Sequence, residues 1–116
     1  MCDNQAVAQF AIDIVQGDDF NLIFKFQDEN GAFLTNVQIK EIYITCEKLN
    51  YQAVVQFSSA KQGFLLTIPA ETTANFVQTV TTYDVTVNYV NGNIVTEIYQ
   101  APLNILLKRN KVTISG

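Results

Sequence analysis

The chain contains no histidine and no tryptophan, and only two cysteines, two prolines and one methionine among 116 residues. Without histidine the commonest general base, the usual nucleophilic triads and most zinc sites drop out. Cys2 and Cys46 form no CxxC pair, and the five glycines are too scattered for a GxGxxG turn or a phosphate-cradling loop. Charge is also scarce. Charged residues make up 16% of the chain, against about 25% in an average soluble domain. A surface this poor in charge points to coverage by neighbours, as in a homo-oligomer or a multi-copy assembly. The net charge is −4, and the only basic cluster is Lys108, Arg109 and Lys111, so phosphate neutralisation and nucleic-acid binding are not expected. No run approaches the roughly 18 apolar residues of a membrane helix, and no membrane partner is expected. Cys-Asp-Asn-Gln follows Met1, with neither a basic nor an apolar leader region, so no signal peptide is expected. With no disulfide anticipated between Cys2 and Cys46, synthesis in a reducing cytoplasm follows.

What the chain does have is period-two alternation. Phe20, Leu22, Phe24 and Phe26 form one apolar ladder; Tyr83, Val85, Val87 and Tyr89 form another. Alternation of this kind marks half-buried strands. The expected strands cover about residues 7–15, 20–27, 37–48, 51–57, 64–68, 81–90, 93–100 and 103–107, with a further extended piece at 112–114. Between them lie turn signals: Gly17-Asp18-Asp19, Asp28-Glu29-Asn30-Gly31, and Asn91-Gly92. The last is read as a type I′ hairpin with positive φ at both central residues. Pro69, Ala70, Glu71 and Ala74 predict one short helical turn near residues 70–76, anchored by Phe76. Pro102, which has no N–H for a ladder, marks an edge, a bulge or a crossing between sheets.

Seven to nine short strands with frequent turns specify an all-β fold, an antiparallel β-sandwich, with a small closed barrel as the runner-up. The chain is read as a single domain over residues 1–116, with a flexible N-terminus (1–6) and an extended C-terminal arm (108–116). Phe24, Ile42, Ile44, Leu66, Ile68, Val85 and Val87 are the expected core, and Cys46 continues the buried face of Ile42 and Ile44.

Candidate chemistry is thin. Asp13, Asp18 and Asp19 cluster at the first turn and Asp28, Glu29 and Asn30 at the second. The intervening strand holds the two groups roughly 25 Å apart, too far to share a calcium ion. Asp84 and Glu97 are placed as diagonal neighbours on one exposed face of the hairpin. No catalytic, cofactor-binding or metal-binding residues are assigned. Tyrosine brings contact area at low entropic cost and is enriched at interfaces. Tyr43, Tyr89 and Tyr99 are therefore the candidate interface residues, with Tyr51 as a further amphipathic aromatic. Lys108, Arg109, Lys111, Val112 and Ile114 extend the interface along the C-terminal arm, where an extended segment can add to a neighbour's sheet edge and basic groups can meet an acidic partner.

The turn motifs fall in a familiar order. Gln16-Gly17-Asp18-Asp19 closes the first strand. Asp28-Glu29-Asn30-Gly31 and Leu34-Thr35 follow the second. Leu66-Thr67-Ile68-Pro69-Ala70-Glu71-Thr72-Thr73-Ala74 precedes Tyr83-Asp84-Val85, and Val112-Thr113 comes last. Over about residues 12–114 this resembles the small immunoglobulin-like domains of tailed-bacteriophage structural proteins, such as the N-terminal domain of siphophage baseplate upper proteins. Asn36 and Ala101 stand where that family often has glycine. The resemblance implies an immunoglobulin-like β-sandwich. It also implies a non-enzymatic role in the virion, most simply in the tail or baseplate, with other virion proteins as partners and no cofactor. A capsid-decorating or head-fibre role is the alternative within that class. A carbohydrate- or receptor-binding module is the alternative outside it.

Overall fold

The computed structural model describes residues 10–108. Seven strands follow in order: β1 (Ile12–Val15), β2 (Phe20–Phe24), β3 (Ile39–Cys46), β4 (Tyr51–Ser58), β5 (Gly63–Ile68), β6 (Thr79–Tyr89) and β7 (Ile94–Leu106). One helical turn, α1 (Ala70–Thr73), lies between β5 and β6. The strands make one mixed sheet in the order β1-β7-β6-β3-β4-β5-β2, rolled nearly into a barrel. The expected wholly antiparallel arrangement is corrected at one pair: β1 runs parallel to β7, Ile12 beside Leu103 and Val15 beside Leu106. Because ninety residues separate those partners, no local pattern announces the pairing.

β4 explains how the sheet curves. Its first half pairs with β3, from Val55 beside Ile42 to Tyr51 beside Cys46. Its second half pairs with β5, from Gln56 beside Leu65 to Ser58 beside Gly63. A strand that changes partner along its length turns the corner between two sheet faces. Gly63 sits at that corner for lack of room: a Cβ there would lie 2.7 Å from Ile23 Cγ2 and 3.0 Å from the Phe24 carbonyl oxygen.

The interior is apolar because each strand turns one alternate set of side chains inward. All seven residues expected in the core are buried, and so is Cys46, a free thiol. Phe64 stacks edge-on with Phe26 and tilted against Phe57, and Tyr51 meets Phe76 edge-on at 5.3 Å between ring centres. The void among Ile14, Ile44, Leu66 and Phe76 is only about 10 Å³, at the lower limit for one water. Around those four residues the interior is filled by side chains.

The helical turn predicted after Pro69 is present and caps one end of the barrel. Thr73 locks it there. Its side chain is fully buried, donates to the Asp18 carbonyl at 2.8 Å and accepts from the Gly17 N–H at 3.0 Å. Gln16 adds a bond from Nε2 to the Phe76 carbonyl at 2.8 Å. The β1–β2 turn and the α1 region are thereby joined across more than fifty residues of sequence.

β7 is one strand of 13 residues where two were expected. The β6–β7 ladder shifts register twice, between Tyr83 and Val85 and between Val85 and Thr86. These bulges lie just before Pro102, where the sequence anticipated a break. The expected type I′ hairpin is also corrected. Tyr89 closes on Asn93, leaving a three-residue loop in which Gly92 carries the positive φ, 97°. This is a type I turn followed by a left-handed glycine, the usual three-residue solution. By contrast, the turn at Asp28 forms as read: its Oδ1 accepts from the Asn30 and Ala32 N–H groups, and Gly31 has φ 87°.

Candidate functional site

The sequence-derived interface residues do not converge. Tyr43 sits mid-β3 on the outer face, half-buried, beside Val54 on β4 and Thr86 on β6. Thr86 in turn pairs with Thr96. The result is a four-strand row, Val54-Tyr43-Thr86-Thr96, that carries no charge. Tyr99 is 68% exposed on β7. It borders a shallow polar hollow of about 670 Å³ shared with Thr45, Glu47, Thr82 and Asp84.

Tyr89 is less available than expected. It packs against the core, and its hydroxyl donates to the Glu97 carboxylate. Burial, the bond to Glu97 and that residue's charge, in that order, push the phenol up to about 12. Tyr51 is likewise a core-edge residue, and burial raises its pKa. Lys108, expected to meet an acidic partner, is paired within the chain with Asp18. Both side chains of that pair are close to half exposed, so the pair adds little to stability. Arg109, Lys111, Val112 and Ile114 lie outside the described residues, as does Cys2.

Asp84 and Glu97 do not share a face. The three-residue loop and the β7 bulges displace the expected register, and a one-residue slip sends a side chain to the opposite face. Asp84 borders the outer hollow and accepts from the Gln100 N–H at 2.7 Å. Glu97 lines a cleft on the other side. The acidic clusters are likewise spent on structure. Asp13 accepts from Asn104 Nδ2 at 2.8 Å, and Asp19 accepts from the Ala70 N–H at 2.7 Å. Among the described residues no three His, Cys, Asp or Glu side chains are grouped as metal ligands.

Sequence reasoning missed the exposed apolar ends. At one end of the β6–β7 ribbon, Val90 in the hairpin loop and Ile94 at the start of β7 are 59% and 64% exposed, and Val37 is 72% exposed. Leu34, Tyr89 and Val90 line an apolar hollow there of about 410 Å³. At the opposite end Val77, Val80 and Leu107 stand out at 62%, 76% and 64% exposure. The signal was in the sequence: Val90 and Ile94 directly flank Asn91-Gly92-Asn93, where polar turn residues are the norm.

The third feature is a cleft of about 590 Å³ where the barrel fails to close. Phe10, Ala11 and Ile12 form one wall; Leu22, Phe24 and Phe26 belong to the other; Tyr83 and Ile98 form the floor. The Tyr83 hydroxyl donates to the Phe10 carbonyl at 2.5 Å, and burial pushes this phenol up to about 12. Compared with known proteins, the chain matches no family model, no curated protein and no solved structure.

Proposed function

We propose that this chain is a non-enzymatic structural domain of a tailed-bacteriophage particle, present in many copies and working through contacts with other virion proteins. Tail or baseplate is the preferred address, and capsid decoration or a head fibre is the alternative. The observation that carries the reading is the pair of exposed apolar ends, Val37, Val90 and Ile94 at one and Val77, Val80 and Leu107 at the other. Clustered apolar side chains of this exposure mark contact surfaces. The row Val54-Tyr43-Thr86-Thr96 adds an uncharged stretch of outer sheet face. The order of the turn motifs supports the phage address.

Neighbour relations among the strands support an immunoglobulin-like description of the fold. β2 lies beside β5, and β6 lies between β3 and β7, matching the B–E and C–F–G neighbours of that architecture. The short helix falls between the strands equivalent to E and F.

A second reading rests on Tyr99. An exposed aromatic beside Asp84 and Glu47 is the composition of a shallow saccharide site, and a glycan or receptor would bind there. The two readings separate by mutation. Ile94→Lys and Val80→Lys alter exposed side chains and leave the fold intact. Assembly through the ends predicts that each variant melts like the parent chain yet fails to enter particles. Wild-type incorporation of both overturns the reading. Loss of particle binding to host cells on Tyr99→Ala, with incorporation intact, favours the second.

A further inference from the structure

Asp84 lies opposite two residues of β7 rather than one. The β6–β7 ladder pairs Tyr83 with Ala101 and then Val85 with Ile98, so Tyr99 and Gln100 together face Asp84. Ile98 and Ala101 are buried, while Tyr99 and Gln100 between them are both exposed. A regular strand would send one of the two inward. Gln100 takes φ 51°, a left-handed conformation disfavoured for any residue with a Cβ. Asp84 holds it there, its Oδ1 accepting from the Gln100 N–H at 2.7 Å. Bulges of this kind re-aim side chains, and strained backbone clusters at ligand sites. Here the bulge sets an aromatic ring and an amide side by side on the wall of the outer hollow, about 670 Å³ in volume. Thr82 adds a hydroxyl, and among the described residues Asp84 Oδ2 takes no bond. Glu47 and Lys48 line the hollow on the β3 side, and neither is in an ion pair among the described residues.

We propose that this hollow binds an uncharged hexopyranose, stacked on the Tyr99 ring with its hydroxyls on Asp84 and Gln100. The inference rests on the reading of Tyr99 as a glycan or receptor contact and narrows it to one class of ligand. A pyranose has a face of C–H groups, which lies on an aromatic ring as other apolar surface does. It also has a rim of hydroxyls, each a donor and an acceptor, that match a carboxylate oxygen, a carboxamide and a threonine hydroxyl. A purely apolar ligand would leave those polar groups without partners. An anionic sugar is disfavoured, because the Glu47 and Asp84 carboxylates outnumber the single Lys48 ammonium around the hollow. One sugar in so open a site binds with millimolar affinity. Display of many copies on one particle raises the apparent affinity by about 10²–10⁴-fold, so a weak single site is enough to hold a glycan-coated surface.

The test is an amide NMR titration of the full chain. The neutral probes are the methyl glycosides of glucose, galactose, mannose and N-acetylglucosamine; the anionic probes are glucuronate and N-acetylneuraminate. The expected result is saturable shifts at the Thr82, Tyr99 and Gln100 amides with at least one neutral glycoside, and weaker binding of both anionic probes. Tyr99→Ala should abolish the shifts and leave the rest of the spectrum in place, whereas Tyr99→Phe should keep them, because the ring and not its hydroxyl is the platform. No saturable shift with any neutral glycoside overturns the proposal. So does equal or tighter binding of an anionic probe, or a response that survives Tyr99→Ala. Adsorption of particles to host cells separates this failure from that of the underlying reading. If Tyr99→Ala particles lose adsorption while no neutral glycoside shifts the spectrum, Tyr99 remains a receptor contact and the sugar class is wrong. If the chain binds a neutral glycoside through Tyr99 while Tyr99→Ala particles adsorb normally, the sugar class stands and the receptor role falls.

Discussion

Replacing Thr73 by valine tests the structural lock between α1 and the β1–β2 turn. Valine has nearly the shape of threonine, so no cavity opens and the change isolates the hydroxyl. That hydroxyl is fully buried and serves two backbone groups, the Asp18 carbonyl and the Gly17 N–H. Ala70, within the helix, offers a further acceptor at 3.1 Å. Leaving a buried donor or acceptor unpaired costs about 1–3 kcal/mol. Part-burial of the two partners lets water recover some of this, which sets the sum at about 2–4 kcal/mol. At about 4 °C per kcal/mol for a chain of this size, the melting temperature should fall by about 8–16 °C. Thermal melts followed by circular dichroism, with urea titrations to check that the m-value is unchanged, measure it. Thr73→Ser keeps both hydrogen bonds, loses one methyl group and should cost only about 1 kcal/mol. If the valine variant melts within about 2 °C of the parent, or the serine variant is equally damaged, the hydroxyl is not the lock.

Other substitutions probe the remaining structure. Gly63→Ala places a Cβ against Ile23 and the Phe24 carbonyl and should cost about 1–3 kcal/mol by forcing β2 from β5; unchanged stability would mean the corner relaxes freely. Val85→Asp puts a carboxylate at a fully buried position and should cost several kcal/mol; parent-like melting would show the β6 register to be wrong. Burial raises the Tyr83 phenol from its ordinary value of 10.0 to about 12. The folded state therefore holds a proton that the unfolded chain releases first, so stability is complete below pH 10 and falls as pH rises towards about 12. Tyr83→Phe should flatten that fall in urea titrations across this window; an identical slope would assign the alkaline loss to other groups.

Much of the fold was legible because burial on one face of a strand leaves a period of two in the chain. Ile42, Ile44 and Cys46 read correctly as one face and Tyr43 and Thr45 as the other. Pro69 marked the helical turn because proline suits a helix start. Register was not legible. Asn91-Gly92 is the strongest dipeptide for a two-residue loop, yet Val90 joins it in a three-residue one, and that single added residue moved Glu97 away from Asp84. Bulges compound the shift, and nothing in Glu97 or Gln100 declares them. The β1–β7 pairing joins residues about ninety apart, beyond the reach of any local pattern. Of the interface, the tyrosines were visible by type, but their availability depends on partners such as Glu97. The apolar ends were overlooked because single valines beside turns look unremarkable until the fold gathers Val37, Val90 and Ile94 at one end.

The most direct measurement is quantitative mass spectrometry of purified phage particles, with head and tail fractions separated. The account predicts this chain in the tail fraction at several copies per particle, in fixed ratio to other structural proteins. Recovery in the head fraction at fixed copy number would keep the structural role and move its address. Absence from both fractions, with the chain abundant in the infected-cell lysate, would contradict the account.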